Sequence, residues 1–143
     1  MTSFFQTAVT LRTKEPIELI DLTDKIQQVV ERFKCAKGLA VVSSQHTTAA
    51  LVINENCPEL KKDAVQFLQK WIPAGEEYRH NRVMGDGRPN AHSHLLSLAL
   101  PQQLTIPVRQ TRLQLGTWQR IFFVELDGPR SERKVLVTLL GGT

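Results

Sequence analysis

Short stretches of β-branched, aromatic and alternating apolar residues recur along the chain and predict strands. We predict seven or eight strands, the clearest of them at residues 4–11, 15–20, 39–44, 49–55, 104–108, 115–126 and 134–140. The residues DGPR, which precede the last strand, have the composition of a turn.

Three other segments are predicted to be helices, the first two from the 3.6-residue period of their apolar residues and the third from its helical propensity. The first carries its apolar face on Ile26, Val29, Val30 and Phe33. The second runs between Pro58 and Pro73 and repeats apolar residues at Leu60, Ala64, Phe67, Leu68 and Trp71. The third is predicted at residues 91–99, with Asn90 as its N-cap.

Strands joined mostly by tight turns, with about three helices, indicate an α+β fold with a largely antiparallel sheet. The length of 143 residues fits a single compact domain, residues 1–143. Residues 74–90 have little pattern, and a loop this long inside a compact domain is often functional. A mononucleotide-binding α/β fold is not expected, because no glycine-rich phosphate loop follows a predicted strand.

Composition narrows the possible partners. The net charge of +4 permits an anionic ligand, but the basic residues are scattered, so we expect no nucleic-acid partner. No apolar run approaches the roughly 20 residues of a membrane span, and the N-terminus lacks a signal-peptide pattern. We therefore expect a cytoplasmic protein without membrane association, in which Cys35 and Cys57 are free thiols.

Polar side chains interrupt two apolar strands in the segment SSQHTTAAL. His46, Thr47 and Thr48 belong either to a solvated turn or to a site at which the two strands end. Both interpretations remain open from the sequence.

The segment GDGRPNAHSHL carries His92 and His94 at the start of the third predicted helix. Residues two apart in a helix lie about 200° apart, so one of the two is expected to face a site, and we favour His92. A helix start also suits an anion. With His46, His80 from the long loop and Asp86, His92 could bind a divalent metal ion such as Zn²⁺ or Mg²⁺. The alternative is a capped helix with incidental histidines.

The segment GTWQRIFFVELDGPR places Gln119 and Glu125 on one face of a predicted strand. Glu125 lies among apolar residues, so it is either paired or poised for chemistry. Arg130 could bind a phosphate through two hydrogen bonds, or could pair with Asp127 or Glu132 at an exposed turn.

Taken together, SSQHTTAALVINEN, NAHSHL, LGTWQRIFFVELDGPR and VLVTLLGG resemble the YjbQ (UPF0047) family over essentially the whole chain. The resemblance implies a compact α+β fold, a homotrimer and a thiamine-phosphate-synthase-like activity. That reaction joins a hydroxymethylpyrimidine diphosphate to a thiazole phosphate and releases pyrophosphate. The segment HNRVMGDGRP is less acidic than the corresponding stretch of the family, which weakens any inherited two-carboxylate metal site.

On this basis we expect a phosphorylated small-molecule substrate. The catalytic candidates are Glu125, as a general base or a supporting group, and His46. Phosphate and ligand contacts are expected from Arg130, Thr47, Thr48, Asn90 and Gln119, and metal contacts from His46, His80, His92 and Asp86. The alternatives are a metal-dependent hydrolase or lyase that uses the same histidines, and a non-catalytic protein that binds a small anion or a metal.

Overall fold

A computed structural model describes residues 2–83, 85 and 87–143 of the chain. Within them lie eight strands: β1 Ser3–Thr13, β2 Glu18–Asp21, β3 Lys37–Ser44, β4 Ala49–Asn54, β5 Gln103–Arg109, β6 Arg112–Leu113, β7 Arg120–Glu125 and β8 Arg130–Gly142. The three α-helices are α1 Thr23–Arg32, α2 Pro58–Trp71 and α3 Ala91–Ala99, and a 3₁₀-helix spans Arg79–Arg82. These elements confirm the predicted α+β class.

The strands form two antiparallel sheets. The larger has the order β1-β8-β3-β5-β6, and the smaller has the order β2-β7-β4. The short strand β6 was not predicted from the sequence. It folds back on β5 through Gln110 and Thr111, whose φ angles of 53° and 58° are left-handed, and two residues are too few to show a period-2 pattern.

Two apolar clusters hold these layers together. The first lies between the sheets, where Ile26 and Val30 of α1 pack with Val42, Val137 and Phe123. The second lies on the opposite face of the small sheet and contains Val124, Leu126, Leu68 of α2 and Leu96 of α3. Strand β7 is thus buried on both faces, which explains its nearly continuous apolar sequence. Fully burying one such side chain stabilises a fold by about 1.5–3 kcal/mol.

The outer face of the large sheet stays exposed. Phe4 pairs with Leu140, Leu140 with Leu39, and Leu39 with Pro107, so one apolar row crosses four strands. Phe4 is 63% exposed and Leu39 is 41% exposed. This face therefore presents a row of apolar side chains to solvent.

Helix α2 follows its prediction in extent but not in burial. Leu68 is the buried residue of this helix, whereas Phe67 and Trp71 stack on each other in solvent with ring centroids 5.5 Å apart. Three strands start at least three residues away from their predicted starts, and the first of these is β2, which starts at Glu18 rather than at residue 15. Strand β7 starts at Arg120 rather than at residue 115, because Gln119 Oε1 accepts the Gly116 N–H and closes a turn. Strand β8 starts at Arg130 rather than at residue 134. None of the helices in the described part of the chain is long and apolar enough to span a membrane.

Candidate ligand-binding cleft

A cleft opens where chain segments from both sheets and α3 meet. Residues 45–48 connect β3 of the large sheet to β4 of the small sheet, and residues 126–129 connect β7 to β8. The polar half of the cleft has a volume of about 270 Å³ and is lined by Gln45, His46, Thr47, Thr48, Asn90, His94, Arg130 and Arg133. Of the two interpretations of SSQHTTAAL, the structure favours strand ends that border a cavity.

A buried ion pair forms the floor of this half. Glu125 has no exposed side-chain surface, and Arg133 is 4% exposed. Nε of Arg133 lies 3.0 Å from both carboxylate oxygens of Glu125, which also accepts hydrogen bonds from the Thr13 hydroxyl at 2.7 Å and the Leu126 N–H at 3.2 Å. Because protein groups donate all of these hydrogen bonds, the Glu125 carboxylate lies behind the cleft and does not face it.

The same ion pair orients Arg133 toward the cavity. Its Nη2 donates to the hydroxyl of Thr48 at 3.0 Å and to the Thr48 carbonyl at 3.3 Å. Among the described residues nothing accepts a hydrogen bond from Nη1, and Arg133 lines the cleft. A guanidinium held in this way is already ordered for binding an oxyanion.

Arg130 is the second arginine of the cleft. Its Nη2 lies 2.7 Å from Oδ2 of Asp127, and its Nε donates to the Asp127 carbonyl at 3.0 Å. Its backbone N–H donates to Thr13 Oγ1 at 2.8 Å. Arg130 therefore does pair with Asp127, as one alternative held, yet it also lines the cavity, so the two sequence-based interpretations are compatible.

The turn that carries Arg130 is packed closely. The Gly128–Pro129 peptide bond is cis, and the Gly128 N–H donates to the Pro16 carbonyl. A Cβ atom on Gly128 would lie 2.0 Å from the carbonyl oxygen of Glu15, so this position requires glycine.

Asp127 is held as a carboxylate by its surroundings. Burial raises its pKa, but hydrogen bonds from Asn90 and Arg130, together with the charges of Arg130 and Arg88, outweigh burial and hold the pKa below its usual value. The carboxylate therefore stays available to position the Arg130 guanidinium.

His46 lies two residues after the end of β3. Its Nε2 accepts a hydrogen bond from the backbone N–H of Lys134 in β8 at 2.9 Å. Burial lowers the pKa of His46, and the charges of Arg133 and Arg130 lower it further against the opposing effect of Glu125. A neutral ring that accepts at Nε2 carries its hydrogen on Nδ1, so His46 is arranged as a hydrogen-bond donor.

The second half of the cleft is largely apolar. It has a volume of about 450 Å³ and is lined by His46, Thr47, His94, Leu95, Ser97, Leu98 and Gln102. His46, Thr47 and His94 line both halves, so the two form one continuous cavity.

Asn90 does not cap α3 with its side chain, contrary to the prediction. Its amide instead donates to Oδ2 of Asp127 at 2.8 Å, and Asn81 Oδ1 accepts the N–H of Ala91 at 3.0 Å. The 3₁₀-helix thus supplies the cap from ten residues upstream. One of the N–H groups that an anion could have used is already occupied.

The structure places His94, rather than His92, in the wall of the cleft. His92 lies beside Ser93 on another side of α3, and burial lowers its pKa against a smaller opposing effect of Asp127. The rings of His80 and His94 meet edge to face with centroids 4.7 Å apart. His46 and His94 therefore line one cavity, and His80 contacts His94 without lining that cavity itself; the preference for His92 was wrong because α3 turns it away.

The predicted metal ligands do not form a binding shell within the described residues. No group of three histidine, cysteine or carboxylate side chains in that part of the chain could hold an ion. The Nε2 lone pair of His46 is occupied by Lys134, and Asp86 lies outside the described residues. The ligand set His46, His80 and His92 thus does not fit a resident metal ion.

Two other predicted roles are corrected by geometry. Gln119 lies at the far end of β7 from Glu125 and takes part in the turn before that strand, so it does not reach the cleft. Glu125 is enclosed by its partners, so it supports Arg133 and is not exposed as a base. Thr47, Thr48, Asn90 and Arg130 do line the cavity.

The cleft residues that sequence reasoning did not select include Arg133, Gln102 and His94, the histidine of α3 that it ranked second to His92. Arg133 could have been found from the pairing of β7 and β8 around a buried Glu125, since a buried carboxylate needs a cationic partner. Gln102 and His94 gave no comparable signal, because their place depends on how α3 packs over β4.

The fold and cleft together define a small α+β domain of two antiparallel sheets with an arginine- and histidine-lined cavity at their junction. Residues 7–142 match the family model described as UPF0047 protein YjbQ-like, and the chain belongs to this family.

Relatives match over nearly their full length. A UPF0047 protein from Archaeoglobus fulgidus is 41% identical over 92% of this chain and 98% of its own. The YjbQ protein of Salmonella typhimurium is 36% identical over 96% and 99%. The crystal structure of a YbjQ-like protein of unknown function from Sulfolobus solfataricus superposes with a TM-score of 0.94 at 35% identity, covering 99% of this chain and 100% of that one.

Proposed function

We propose that the cleft binds a phosphorylated small molecule and that the protein is a transferase of the thiamine-phosphate-synthase type. The observation that carries the proposal is Arg133, which is almost fully buried and fixed by Glu125, yet lines the cavity beside Arg130 and the neutral donor His46. Two ordered guanidinium groups and a ring N–H suit a phosphate or pyrophosphate group.

The residues of the cleft suit group transfer. In the transfer, the bond between the pyrimidine methylene carbon and the diphosphate oxygen breaks, and its electron pair leaves on pyrophosphate. The ring nitrogen of the thiazole supplies the electron pair of the new carbon–nitrogen bond. The protein has to stabilise the anionic leaving group, which the arginines can do. A hydrolase must also take a proton from water, and since Glu125 and Nε2 of His46 are occupied by protein groups, that role would fall to His94 in the cleft wall.

A divalent ion, Mg²⁺ or Zn²⁺, remains part of the proposal. Since the described residues do not assemble a ligand set for it, we propose that it enters with the diphosphate rather than being held by the protein alone. We also propose that the protein is a cytoplasmic homotrimer, as the family resemblance implies.

Calorimetric titration with inorganic phosphate and pyrophosphate tests the binding step. Arg130→Lys should weaken binding about tenfold, on the order of 1.4 kcal/mol, because an ammonium group cannot donate two parallel hydrogen bonds. Arg120→Lys is a matched control, since Arg120 also pairs with an aspartate and is similarly exposed, but it lies at the far end of β7.

Equal affinities in the wild type and in Arg130→Lys would contradict the phosphate role of Arg130. Turnover is measured separately, as release of pyrophosphate from the pyrimidine diphosphate when the thiazole phosphate and Mg²⁺ are present. Binding without turnover would leave a non-catalytic anion-binding protein.

A further inference from the structure

We propose that the apolar half of the cleft binds the organic part of the phosphorylated ligand and that Gln102 selects ligands with a hydrogen-bond donor on that part. The inference rests on the proposed phosphate binding in the polar half. It adds a specificity-determining residue and narrows the ligand to phosphate esters whose apolar ring carries an N–H or O–H group.

The Gln102 amide has one possible orientation. Its Nε2 donates to the Ala49 carbonyl at 2.9 Å, to the Ser97 carbonyl at 3.0 Å and to Ser97 Oγ at 2.8 Å. The Ser97 hydroxyl uses its own hydrogen on the Ala49 carbonyl at 2.9 Å, so it accepts from Gln102. Reversing the amide would place Oε1 against the two carbonyl oxygens, neither of which can donate to it.

Because Nε2 is bound to Ala49 and Ser97, Oε1 is the amide atom left to contact a ligand. Gln102 lines the apolar half of the cleft, and within the described chain no donor reaches Oε1. A fixed acceptor in the wall of a largely apolar cavity is left unsatisfied when an apolar group covers it, and this disfavours ligands without a donor.

The rest of this wall is suited to an apolar ring. Leu98 is 84% exposed and Leu95 is 38% exposed, and both line the cavity beside Gln102. A ligand held by its phosphate near Arg133 can extend over these leucines, because His46, Thr47 and His94 line both halves. Burial of leucine surface by a ring is favourable in proportion to the area removed from water.

The test is calorimetric titration of the wild-type protein with inorganic phosphate, phenyl phosphate and the three aminophenyl phosphate isomers. We expect phenyl phosphate to bind more tightly than inorganic phosphate. At least one aminophenyl isomer should bind about fivefold or more tightly than phenyl phosphate, as one satisfied acceptor implies.

Two variants assign the effects to residues. Leu98→Gln should reduce the preference for phenyl phosphate over inorganic phosphate, whereas Phe67→Gln, at an exposed apolar residue of α2, should leave that preference unchanged. Gln102→Met should remove the preference for the aminophenyl isomer. If this variant is misfolded by circular dichroism, the ligand series on the wild type still decides.

Each outcome has a separate meaning. If inorganic phosphate binds and no aminophenyl isomer exceeds phenyl phosphate, the role of Gln102 is refuted. If phenyl phosphate binds no more tightly than inorganic phosphate, the apolar half is not a ligand subsite. If neither phosphate nor any ester binds, the proposed function itself fails.

Discussion

Glu125 lies in the middle of an apolar strand, and at the level of single residues its surroundings decide its role. Its carboxylate is fully buried and accepts hydrogen bonds from Arg133, Thr13 and the backbone of Leu126. The polar neighbours satisfy the group that burial would otherwise penalise. We infer that Glu125 positions Arg133 and does not take a proton from the substrate.

Glu125→Gln should therefore act mainly on stability. The amide has nearly the same shape, but it leaves the buried charge of Arg133 without its counter-ion, which typically costs about 3–5 kcal/mol. The free energy of unfolding from urea denaturation measures the loss. Glu132→Gln is the control, because Glu132 is 61% exposed and 3.8 Å from Lys134, and its change should stay within about 0.5 kcal/mol. Unchanged stability together with lost turnover would instead support the general-base role predicted from the sequence.

Single residues also mark the limit of sequence reasoning at the site. The polar segment from Ser43 to Thr48 was recognisable because its six hydrogen-bonding side chains interrupt two apolar strands. The choice between His92 and His94 was not, since both fit the first turn of a helix and only the packing of Ser93 and Leu96 against the small sheet fixes the rotation.

At the level of elements, most of the fold could be predicted from periodicity. The three helices and the principal strands follow patterns that burial on one or both faces imposes. The misplaced starts of β7 and β8 and the missing β6 depend on turns closed by long-range or non-periodic contacts, such as Gly116 to Gln119. Capping of α3 belongs to the same group, because Asn81 is distant in sequence.

The start of α3 provides a test at this level. Asn81→Ala removes the acceptor for the Ala91 N–H and should cost about 0.5–2 kcal/mol of unfolding free energy. Asn81→Asp keeps an oxygen acceptor at the positive end of the helix and should retain the stability. Urea denaturation of the three proteins distinguishes these expectations. Equal stability of Asn81→Ala and wild type would mean that water replaces the cap without cost.

At the level of the whole molecule, the main feature is the outer face of the large sheet, which is exposed in a single chain. Its central part is free of charge over twelve positions in register on four strands: Phe4, Gln6, Ala8, Leu136, Thr138, Leu140, Leu39, Val41, Ser43, Gln103, Thr105 and Pro107. Charge depletion with exposed apolar side chains is typical of the core of a protein–protein interface. Each copy of the chain has a net charge of +4, so two copies repel each other least when they meet through a face that carries no charges.

We therefore expect that the proposed homotrimer assembles through this face. Light scattering coupled to gel filtration at micromolar concentration should give three times the mass of one chain. Leu39→Lys places a charge in the centre of the apolar row and should shift the protein toward the monomer, because an unpaired charge buried in an interface is costly. Leu98→Gln, in the cleft, should leave the mass unchanged. A monomeric wild type would refute the trimer, and a Leu39→Lys protein that remains trimeric would place the contact on another face, such as the exposed Phe67 and Trp71 of α2.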